Sequence, residues 1–335
     1  MVKISFLGDI ALVGKYNNLY QNNINPFIEI ESLLKKGHYV IGNLECLSEG
    51  NEGENLKKKP RLKTNKVTLN YLNNLNIGLA TLAHNHVYDN LLDGFNKTIN
   101  FLDANNISHI GASTSKETVR VPLVKKIDDL NFCFLNYVTE DTNPNIPDDA
   151  PIFLNYFDIT KIKNDIKKYR QKVDYVIVLL HWGGRLEGGN YPDSDQPEIA
   201  KKIIDMGANL IVGHHSHTLQ PLDIYKGKYI FYSLGNFCFS DFESDNILHK
   251  LDLKRRTKSM ILNIQFYKDN YQVDFDFIKN NNLNIRIDNT ISIEYKKRNR
   301  NFQYLKKYNL LWLLYYFKVR YYYRILKKIY NRKKI

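Results

Sequence analysis

Short apolar segments alternate with amphipathic ones along most of this 335-residue chain. We expect strands at residues 3–8, 38–43, 77–83, 107–112, 174–180 and 208–213. Amphipathic stretches between them predict helices near 26–36, 66–76, 91–106, 158–171 and 196–206. A chain that alternates strands and helices in this order predicts a parallel sheet with helices packed on its faces. The sequence therefore predicts an α/β fold.

The later part of the body is richer in strands than the first part. The segments PLDIYKG, KYIFYSLG, SMILNIQFY and YQVDFDFI follow one another without a helical pattern between them. Consecutive strands separated by short turns predict hairpins. We therefore expect β hairpins packed late in the α/β body.

Five predicted strands end in polar residues that can bind a metal or transfer protons. These ends carry Asp9; Asn43 and Glu45; His84, Asn85 and His86; His181; and the segment GHHSH at 213–217. Ligands of open parallel sheets bind at the carboxyl ends of the strands. Any one of these side chains could be an ordinary turn residue, but the set predicts a site at one sheet edge.

The residue types at these strand ends suit a divalent metal. If the GHHSH segment is extended, His215 and His217 share a face, and His214 points elsewhere or becomes an outer partner. The candidate ligands are Asp9, Glu45, Asn85, His181, His215 and His217. Imidazole and oxygen ligands without thiolate favour Mn, Fe or Zn, as one or two ions, over a structural zinc site.

Cysteine usage and hydropathy indicate in which cellular compartment the protein is expected. The three cysteines are far apart and form no CxxC pair, which fits a reducing environment. No stretch approaches the roughly 20 apolar residues of a transmembrane helix. The N-terminal segment MVKISFLGDIALVG is interrupted by Asp9 and is more typical of a strand than of a signal peptide. We therefore expect a cytoplasmic protein.

The basic charge of the chain is concentrated in its last residues. The net charge is +13, and residues 295–335 contain fourteen Lys and Arg and no acidic residue. The body is therefore nearly neutral. We divide the chain into a body at 1–294 and a basic aromatic tail at 295–335, with a predicted helix from about 302 to 330.

The tail has three possible uses. On a helical wheel one face carries Leu310, Leu313, Leu314, Phe317, Tyr321 and Ile325, interrupted by Arg324 and Lys328. Such a helix can lie on an anionic membrane surface, act as a nucleic-acid arm or dock on the body with a solvated basic face. We favour peripheral attachment to the inner face of the membrane, and the nucleic-acid arm is the least favoured.

The ordered motifs GDI, GNLE, AHNHVYD, HWG, GHHSH and YSLGNF resemble the CapA family of bacterial capsule and poly-γ-glutamate synthesis proteins. That family is similar to the calcineurin-like metallophosphoesterases. The resemblance covers residues 2–239. It implies a metallophosphoesterase-like fold of layered sheets with flanking helices, and it implies that the six candidate ligands form a metal site.

The resemblance also implies roles for neighbouring residues. His86 stands where metallophosphoesterases have their catalytic histidine. Further partners of the metal site are expected among Asn43, His84, His214 and Asn236. The sequence departs from many phosphoesterases at Ala11, where those enzymes carry a histidine, and at the GNLE motif, where they carry a bridging aspartate.

Two functions are compatible with this resemblance. The first is a metal-dependent hydrolase that acts on a polymer or on a phosphoryl or acyl substrate during capsule synthesis. The second is a non-catalytic component of capsule assembly that binds polymer or other capsule-synthesis proteins.

Overall fold

The structure is a computed structural model. It describes residues 1–35, 38–251 and 255–332, without the side chains of His38, Arg320 and residues 322–332. The predicted positions of Arg324, Ile325 and Lys328 on the tail helix therefore lie outside the described side chains.

The strands within the described residues are β1 (Val2–Ile10), β2 (His38–Leu44), β3 (Leu47–Ser48), β4 (Lys63–Thr64), β5 (Ile77–Thr81), β6 (Ser108–Ile110), β7 (Ala112–Ser113), β8 (Leu123–Ile127), β9 (Leu130–Val138), β10 (Phe153–Leu154), β11 (Tyr175–His181), β12 (Leu210–His214), β13 (Leu222–Tyr225), β14 (Lys228–Phe231), β15 (Asn236–Cys238), β16 (Phe242–Ser244), β17 (Ile247–His249), β18 (Lys258–Phe266), β19 (Tyr271–Asn281) and β20 (Asn284–Ile287). The helices are α1 (Lys15–Gln21), α2 (Ile28–Lys35), α3 (Tyr71–Asn74), α4 (Leu91–Ala104), α5 (Ile159–Tyr169), α6 (Gln196–Asp205), α7 (Ile291–Lys307) and α8 (Asn309–Arg332). Short 3₁₀ helices lie at Lys66–Asn70, Glu140–Thr142 and Gly184–Leu186.

The long strands form two sheets. The first has the order β20-β19-β18-β1-β2-β5-β6, and β15 pairs with the end of β1. Its strands β1, β2, β5 and β6 are parallel, whereas β18, β19 and β20 are antiparallel. The second sheet has the order β13-β14-β12-β11-β9-β8, with parallel central strands and antiparallel strands at both edges.

The two sheets face each other, and helices cover their outer faces. Alternate residues of a strand point to opposite faces, and β11 shows this clearly. Its Ile177 belongs to the apolar cluster between the sheets, and Val178 belongs to the cluster under α5 and α6. Helices α1, α2 and α4 cover the first sheet in the same way. The α/β class and the late hairpins predicted from the sequence are confirmed. The strands are divided between two facing sheets in a four-layer arrangement, whereas the strand order alone predicted one parallel sheet.

Two helical predictions differ from the structure, and one helix was not predicted. The predicted helix at 66–76 is a 3₁₀ helix followed by the four-residue α3, and Asn76 adopts a left-handed φ of 54°. Helix α1 was not predicted, because its sequence KYNNLYQ is polar and buries only Tyr16. In the tail, α7 begins at Ile291, and the predicted helix at 302–330 is divided between α7 and α8 at Tyr308.

The tail helices contact the body through a few aromatic side chains. Phe302 is fully buried. The centroid of its ring lies 5.4 Å from the ring centroid of Tyr232 and 5.8 Å from that of Trp312. Leu314 and Phe317 are 57% and 58% exposed. Within the described residues, no helix is both long and apolar enough to cross a membrane. The division at 294/295 stays a prediction.

We predict that Phe302→Ala destabilises the protein by about 3–5 kcal/mol, because it leaves a cavity among buried aromatic rings. Urea unfolding followed by tryptophan fluorescence measures this change. The matched control is Tyr304→Ala on the same helix, whose side chain is 58% exposed and whose loss costs within about 0.5 kcal/mol. Equal stability of the two variants would contradict the docking of α7.

Candidate metal centre

The register of neighbouring strands brings the predicted site residues together. In the first sheet, Asp9 pairs with Asn43 on one side and with Asn236 on the other. In the second sheet, His181 pairs with His214. Because both sheets present carboxyl ends of strands at the same edge, residues distant in sequence meet there.

One group of donor atoms surrounds the imidazole of His181. Its Nε2 lies 2.9 Å from Asn85 Oδ1, 3.1 Å from His215 Nδ1 and 3.8 Å from Glu45 Oε1. All four residues are at least 94% buried. The sequence prediction that these side chains converge agrees with this geometry.

A second group of donor atoms contains His217 and Asp9 and contacts the same oxygen of Glu45. His217 Nδ1 is 3.3 Å from Asp9 Oδ2, and His217 Nε2 is 3.5 Å from Glu45 Oε1. Glu45 therefore stands between the His181 group and the Asp9–His217 pair. This arrangement offers positions for one ion or for two ions that share the glutamate.

The donor set fits a divalent metal. Ligand atoms about 2.1 Å from one ion lie roughly 3.0–3.4 Å apart in octahedral or tetrahedral geometry. The separations of His181 Nε2 from Asn85 Oδ1 and His215 Nδ1, at 2.9 and 3.1 Å, are similar. One donor atom each from Glu45, His215 and His217 all lie within 4.8 Å of one another. Among the described residues, Asp9 Oδ2 and both oxygens of Glu45 are buried without a hydrogen-bond partner. Buried acceptors without donors are costly, and a cation would satisfy them.

The GHHSH turn places its histidines in a different way from the one predicted. Strand β12 ends at His214, and the turn is not extended, since His215 and His217 have φ angles of 89° and 57°. Positive φ is uncommon for residues with a side chain and concentrates at functional sites. Two left-handed residues, and not strand alternation, therefore turn both imidazoles toward the cluster.

Asn43 and Asn236 hold the ligands in place. Asn43 donates from Nδ2 to Asp9 Oδ1 at 2.9 Å, and its own Oδ1 accepts from Thr81 at 3.1 Å. Asn236 Oδ1 lies 2.9 Å from His217 Nδ1. With Nδ1 donating to this amide, His217 presents Nε2 as the nitrogen that can bind an ion.

Gly235 allows Asn236 to reach this position. Gly235 has a φ of 78°, and a Cβ there would lie 2.6 Å from the Lys258 carbonyl oxygen. A residue with a side chain would therefore displace the strand that carries Asn236.

His84 and His214 also border the cluster. His84 accepts at Nδ1 from the backbone N–H of His86 at 3.1 Å, and its Nε2 has no hydrogen-bond partner among the described residues. His214 Nδ1 lies 3.3 Å from Asp9 Oδ1 without hydrogen-bond alignment. Both are therefore outer members of the site in this geometry.

His86 is oriented by a carboxylate that the sequence reasoning missed. Its Nδ1 lies 2.6 Å from Asp89 Oδ2, which also accepts from the backbone N–H of Leu62 at 2.6 Å. The signal was present in the motif HNHVYD, where the aspartate follows His86 by three residues. A carboxylate at one ring nitrogen fixes the tautomer and leaves Nε2 for chemistry.

Burial dominates the electrostatics of the site. It lowers the pKa of His181, His84 and His86 well below the usual value, so these imidazoles are neutral. It raises the pKa of Glu45 well above the usual value. Burial acts in the same sense on Asp9, but the adjacent imidazoles of His214 and His217 favour its charged form and lower that pKa. Burial also disfavours the charged form of His217, but the charges of Glu45 and Asp9 outweigh it and raise the pKa of His217 to about 9. Binding of a metal would therefore release a proton from His217.

A loop that follows β11 links the site to the tail. The backbone N–H of Gly188 donates to the Ser216 carbonyl in the GHHSH turn at 2.8 Å. Farther along the loop, Asn190 N–H donates to the Tyr315 hydroxyl at 2.8 Å, and Trp312 Nε1 donates to the Pro192 carbonyl at 3.1 Å. Helix α8 therefore contacts the same loop as the metal-site turn.

Residues 3–241 match the family described as bacterial capsule synthesis protein PGA_cap. The chain belongs to this family. It is 28% identical to the PGA biosynthesis protein CapA of Bacillus subtilis over 71% of this chain and 63% of that protein. It is also 28% identical to the capsule biosynthesis protein CapA of Bacillus anthracis over 70% of this chain and 59% of that protein. The similarity to the CapA family is confirmed, and the match spans about three fifths of these curated relatives.

Solved structures with little sequence identity share the fold. A putative 5'-nucleotidase from Staphylococcus aureus superposes with a TM-score of 0.53 at 10% identity, over 90% of this chain and 58% of that one. A hypothetical protein from Thermus thermophilus gives 0.51 at 10% identity, over 83% and 99% of the two chains. The predicted metallophosphoesterase-like fold is confirmed by these neighbours.

We predict that Glu45→Gln abolishes most of the stabilisation that Mn²⁺ or Zn²⁺ gives to this protein. A ligand at 100 times its dissociation constant stabilises a fold by about 2.7 kcal/mol, and a neutral amide binds the ion more weakly than a carboxylate. Thermal unfolding with and without metal measures the difference.

The metal-free Glu45→Gln protein should lose little stability at pH 8, because the cost of burying the carboxyl group is removed together with its attraction to His217. The control is Glu243→Gln, an exposed glutamate away from the site, which keeps the full metal effect. An unchanged metal effect in Glu45→Gln would remove this residue from the ligand set.

Proposed function

We propose that the protein is a divalent-metal-dependent hydrolase that acts on a phosphoryl or acyl bond during the synthesis of a capsule or a poly-γ-glutamate-type polymer. The observation that supports this proposal best is the set of buried carboxylate oxygens without hydrogen-bond donors, beside imidazoles most of which burial keeps neutral. This set needs a cation, and the family supplies the cellular role.

The proposed ligands form two groups that share Glu45. Asn85, His181 and His215 form one group, and Asp9 and His217 form the other. A bound divalent ion supplies Lewis-acid polarisation of a substrate oxygen and makes water more acidic. The residue types fit Mn, Zn or Fe, with either one or two ions.

We assign His86 the role of general acid or of electrostatic stabiliser at the leaving group, which requires that an anionic substrate raises the lowered pKa of this imidazole so that it takes up a proton. Asp89 holds its Nδ1 at 2.6 Å, so Nε2 is the atom that can exchange a proton with substrate. His86 retains 6% exposure. A positioned side chain of this kind typically contributes about 10²–10⁴-fold to the rate.

The alternative is a non-catalytic component of capsule assembly that binds polymer or partner proteins. Ala11 favours this alternative, because it is fully buried in the apolar cluster of the first sheet and provides no donor atom. The Asp9–His217 group therefore lacks the additional histidine expected from the resemblance to metallophosphoesterases.

We predict opposite behaviour for two histidine variants of the full chain. His217→Ala loses bound metal, measured by elemental analysis after dialysis. His86→Ala keeps its metal but loses about 10²–10⁴-fold of any turnover. Suitable substrates are p-nitrophenyl phosphate, bis(p-nitrophenyl) phosphate and poly-γ-glutamate.

The matched control is His109→Ala, since His109 lies on β6 beside Asp103 and outside the cluster. It should retain both metal and turnover. Equal metal loss in His86→Ala and His217→Ala would remove the role assigned to His86. A metal-loaded parent that hydrolyses none of the substrates favours the assembly component.

We further propose that α8 attaches the protein to an anionic membrane surface. Trp312 is 4% exposed and fixes the helix on the body, while Leu310, Leu314 and Phe317 are 57–68% exposed. The fourteen basic residues of 295–335 complement anionic headgroups, each near the surface adding roughly 1 kcal/mol at low salt. The exposed apolar side chains can insert beside them.

The double substitution Leu314→Glu and Phe317→Glu should weaken binding to vesicles that contain phosphatidylglycerol by more than about tenfold, because two apolar side chains no longer insert. Co-sedimentation at low and high salt measures this binding. The control Ile293→Glu changes an exposed residue of α7 and should bind like the parent. Unchanged binding of the double variant, or equal affinity of the parent for neutral vesicles, would contradict the proposal.

A further inference from the structure

Lys58 is a buried cation for which the structure provides no close anion. Its side chain is 3% exposed, and its ammonium donates to the Asn143 carbonyl oxygen at 2.5 Å. Among the described residues it forms no salt bridge. An ammonium has three N–H donors, and a buried charge without a partner is costly. Two donors of Lys58 therefore remain available.

A neighbouring cation in the same loop shows the contrast. Arg61 is 5% exposed, and it pairs with Glu54 at 2.8 Å and with Asp245 at 2.6 Å. This is the ordinary compensation of a buried structural cation. Lys58, three residues earlier, lacks a paired carboxylate, which is typical of a group that meets its anion in a ligand.

The loop that carries Lys58 wraps around the carboxylate that orients His86. The backbone N–H of Asn55 donates to the Asp89 carbonyl at 2.9 Å, and the N–H of Leu62 donates to the Asp89 side chain at 2.6 Å. Lys58 lies between these two attachments. Its backbone is therefore fixed beside the proposed general acid.

The ammonium contacts the segment that follows β9 of the second sheet. Its acceptor, Asn143, follows the 3₁₀ helix Glu140–Thr142. The residue before that helix, Thr139, donates its N–H to the carbonyl of His181 at 3.0 Å. Lys58 thus bridges the loop beside His86 and the segment beside His181.

The charge of Lys58 affects the pKa of His86 in the metal centre. After burial, Lys58 is the largest cause that lowers the pKa of His86. Burial also lowers the pKa of Lys58 itself, although the more distant carboxylates of Asp89, Glu187 and Glu45 oppose this effect. A divalent ion beside Glu45 would take up part of that negative charge, and the ammonium would then need another anion.

We propose that Lys58 is an anion-binding residue of the metal centre, which takes a phosphate or carboxylate oxygen of the substrate beside His86. This inference rests on the proposed function, because it places substrate at that centre. Lys58 binds and orients the anion and transfers no proton. It selects acidic substrates, since an ammonium attracts phosphate and carboxylate as a point charge.

The test uses the metal-loaded full chain with Lys58→Met and Lys58→Arg. Calorimetric binding of inorganic phosphate and of glutarate, measured separately, distinguishes the two anions. For the anion that the parent binds, Lys58→Met should weaken affinity by about 10- to 100-fold, and Lys58→Arg should restore most of it. With p-nitrophenyl phosphate, Lys58→Met should raise KM more than it lowers kcat.

Asn55→Ala is the matched control for a purely structural role. Asn55 Nδ2 donates to the Asn145 carbonyl at 3.0 Å and so joins the same two segments without a charge. It should lower the melting temperature at least as much as Lys58→Met and leave anion affinity unchanged. Equal loss of anion affinity in both variants, or no loss in Lys58→Met, overturns the proposal, as does a parent that binds neither anion.

The two proposals can fail separately. Anion binding that depends on Lys58 in a protein without hydrolytic activity supports the anion site and rejects the hydrolase. Turnover that Lys58→Met leaves unchanged rejects the anion site and retains the hydrolase.

Discussion

The burial of Asp9 and Glu45 between two sheets is the constraint on which the site depends. Both carboxylates are fully buried, and three of their four oxygens lack hydrogen-bond donors among the described residues. Buried carboxylates are normally paired with Lys or Arg, or they bind a metal. Here their neighbours are imidazoles, and burial keeps most of these neutral. A cation bound there would therefore supply what most of the surrounding protein groups do not.

The fold brings these groups together at a conformational cost. The parallel strands of both sheets end at one edge, and the covering helices leave that edge to loops. The GHHSH turn then places two residues with side chains in left-handed backbone conformations, His215 and His217. Such conformations persist only where the surroundings hold them. The Asn236 side chain, the Ser216 carbonyl contact with Gly188 and the register of β12 provide that support.

The sequence revealed the strand positions and their polar ends because both signals are local. Inner strands buried on two faces are continuous apolar runs, and β11 is an example. The division of the strands into two facing sheets could not be predicted from the sequence, since the strands of both sheets have similar hydrophobic patterns.

Asp89 and Lys58 were missed because their importance depends on how residues 54–62 wrap around the site. The left-handed turn at 215–217 was missed because residues with side chains rarely predict positive φ. The break at Tyr308 likewise depends on packing of Phe302 and Trp312.

The tail helix connects the proposed membrane contact to the proposed chemistry. One side of α8 is fixed on the body by Trp312, and Tyr315 accepts from the loop that leads away from His181. That loop also contacts the GHHSH turn through Gly188. A helix bound to the body on one side and to lipid on the other would hold the metal centre at a set distance from the membrane. Because a contact of this kind limits orientation as well as distance, it would fix the direction in which the metal centre meets a substrate that is itself anchored at the surface.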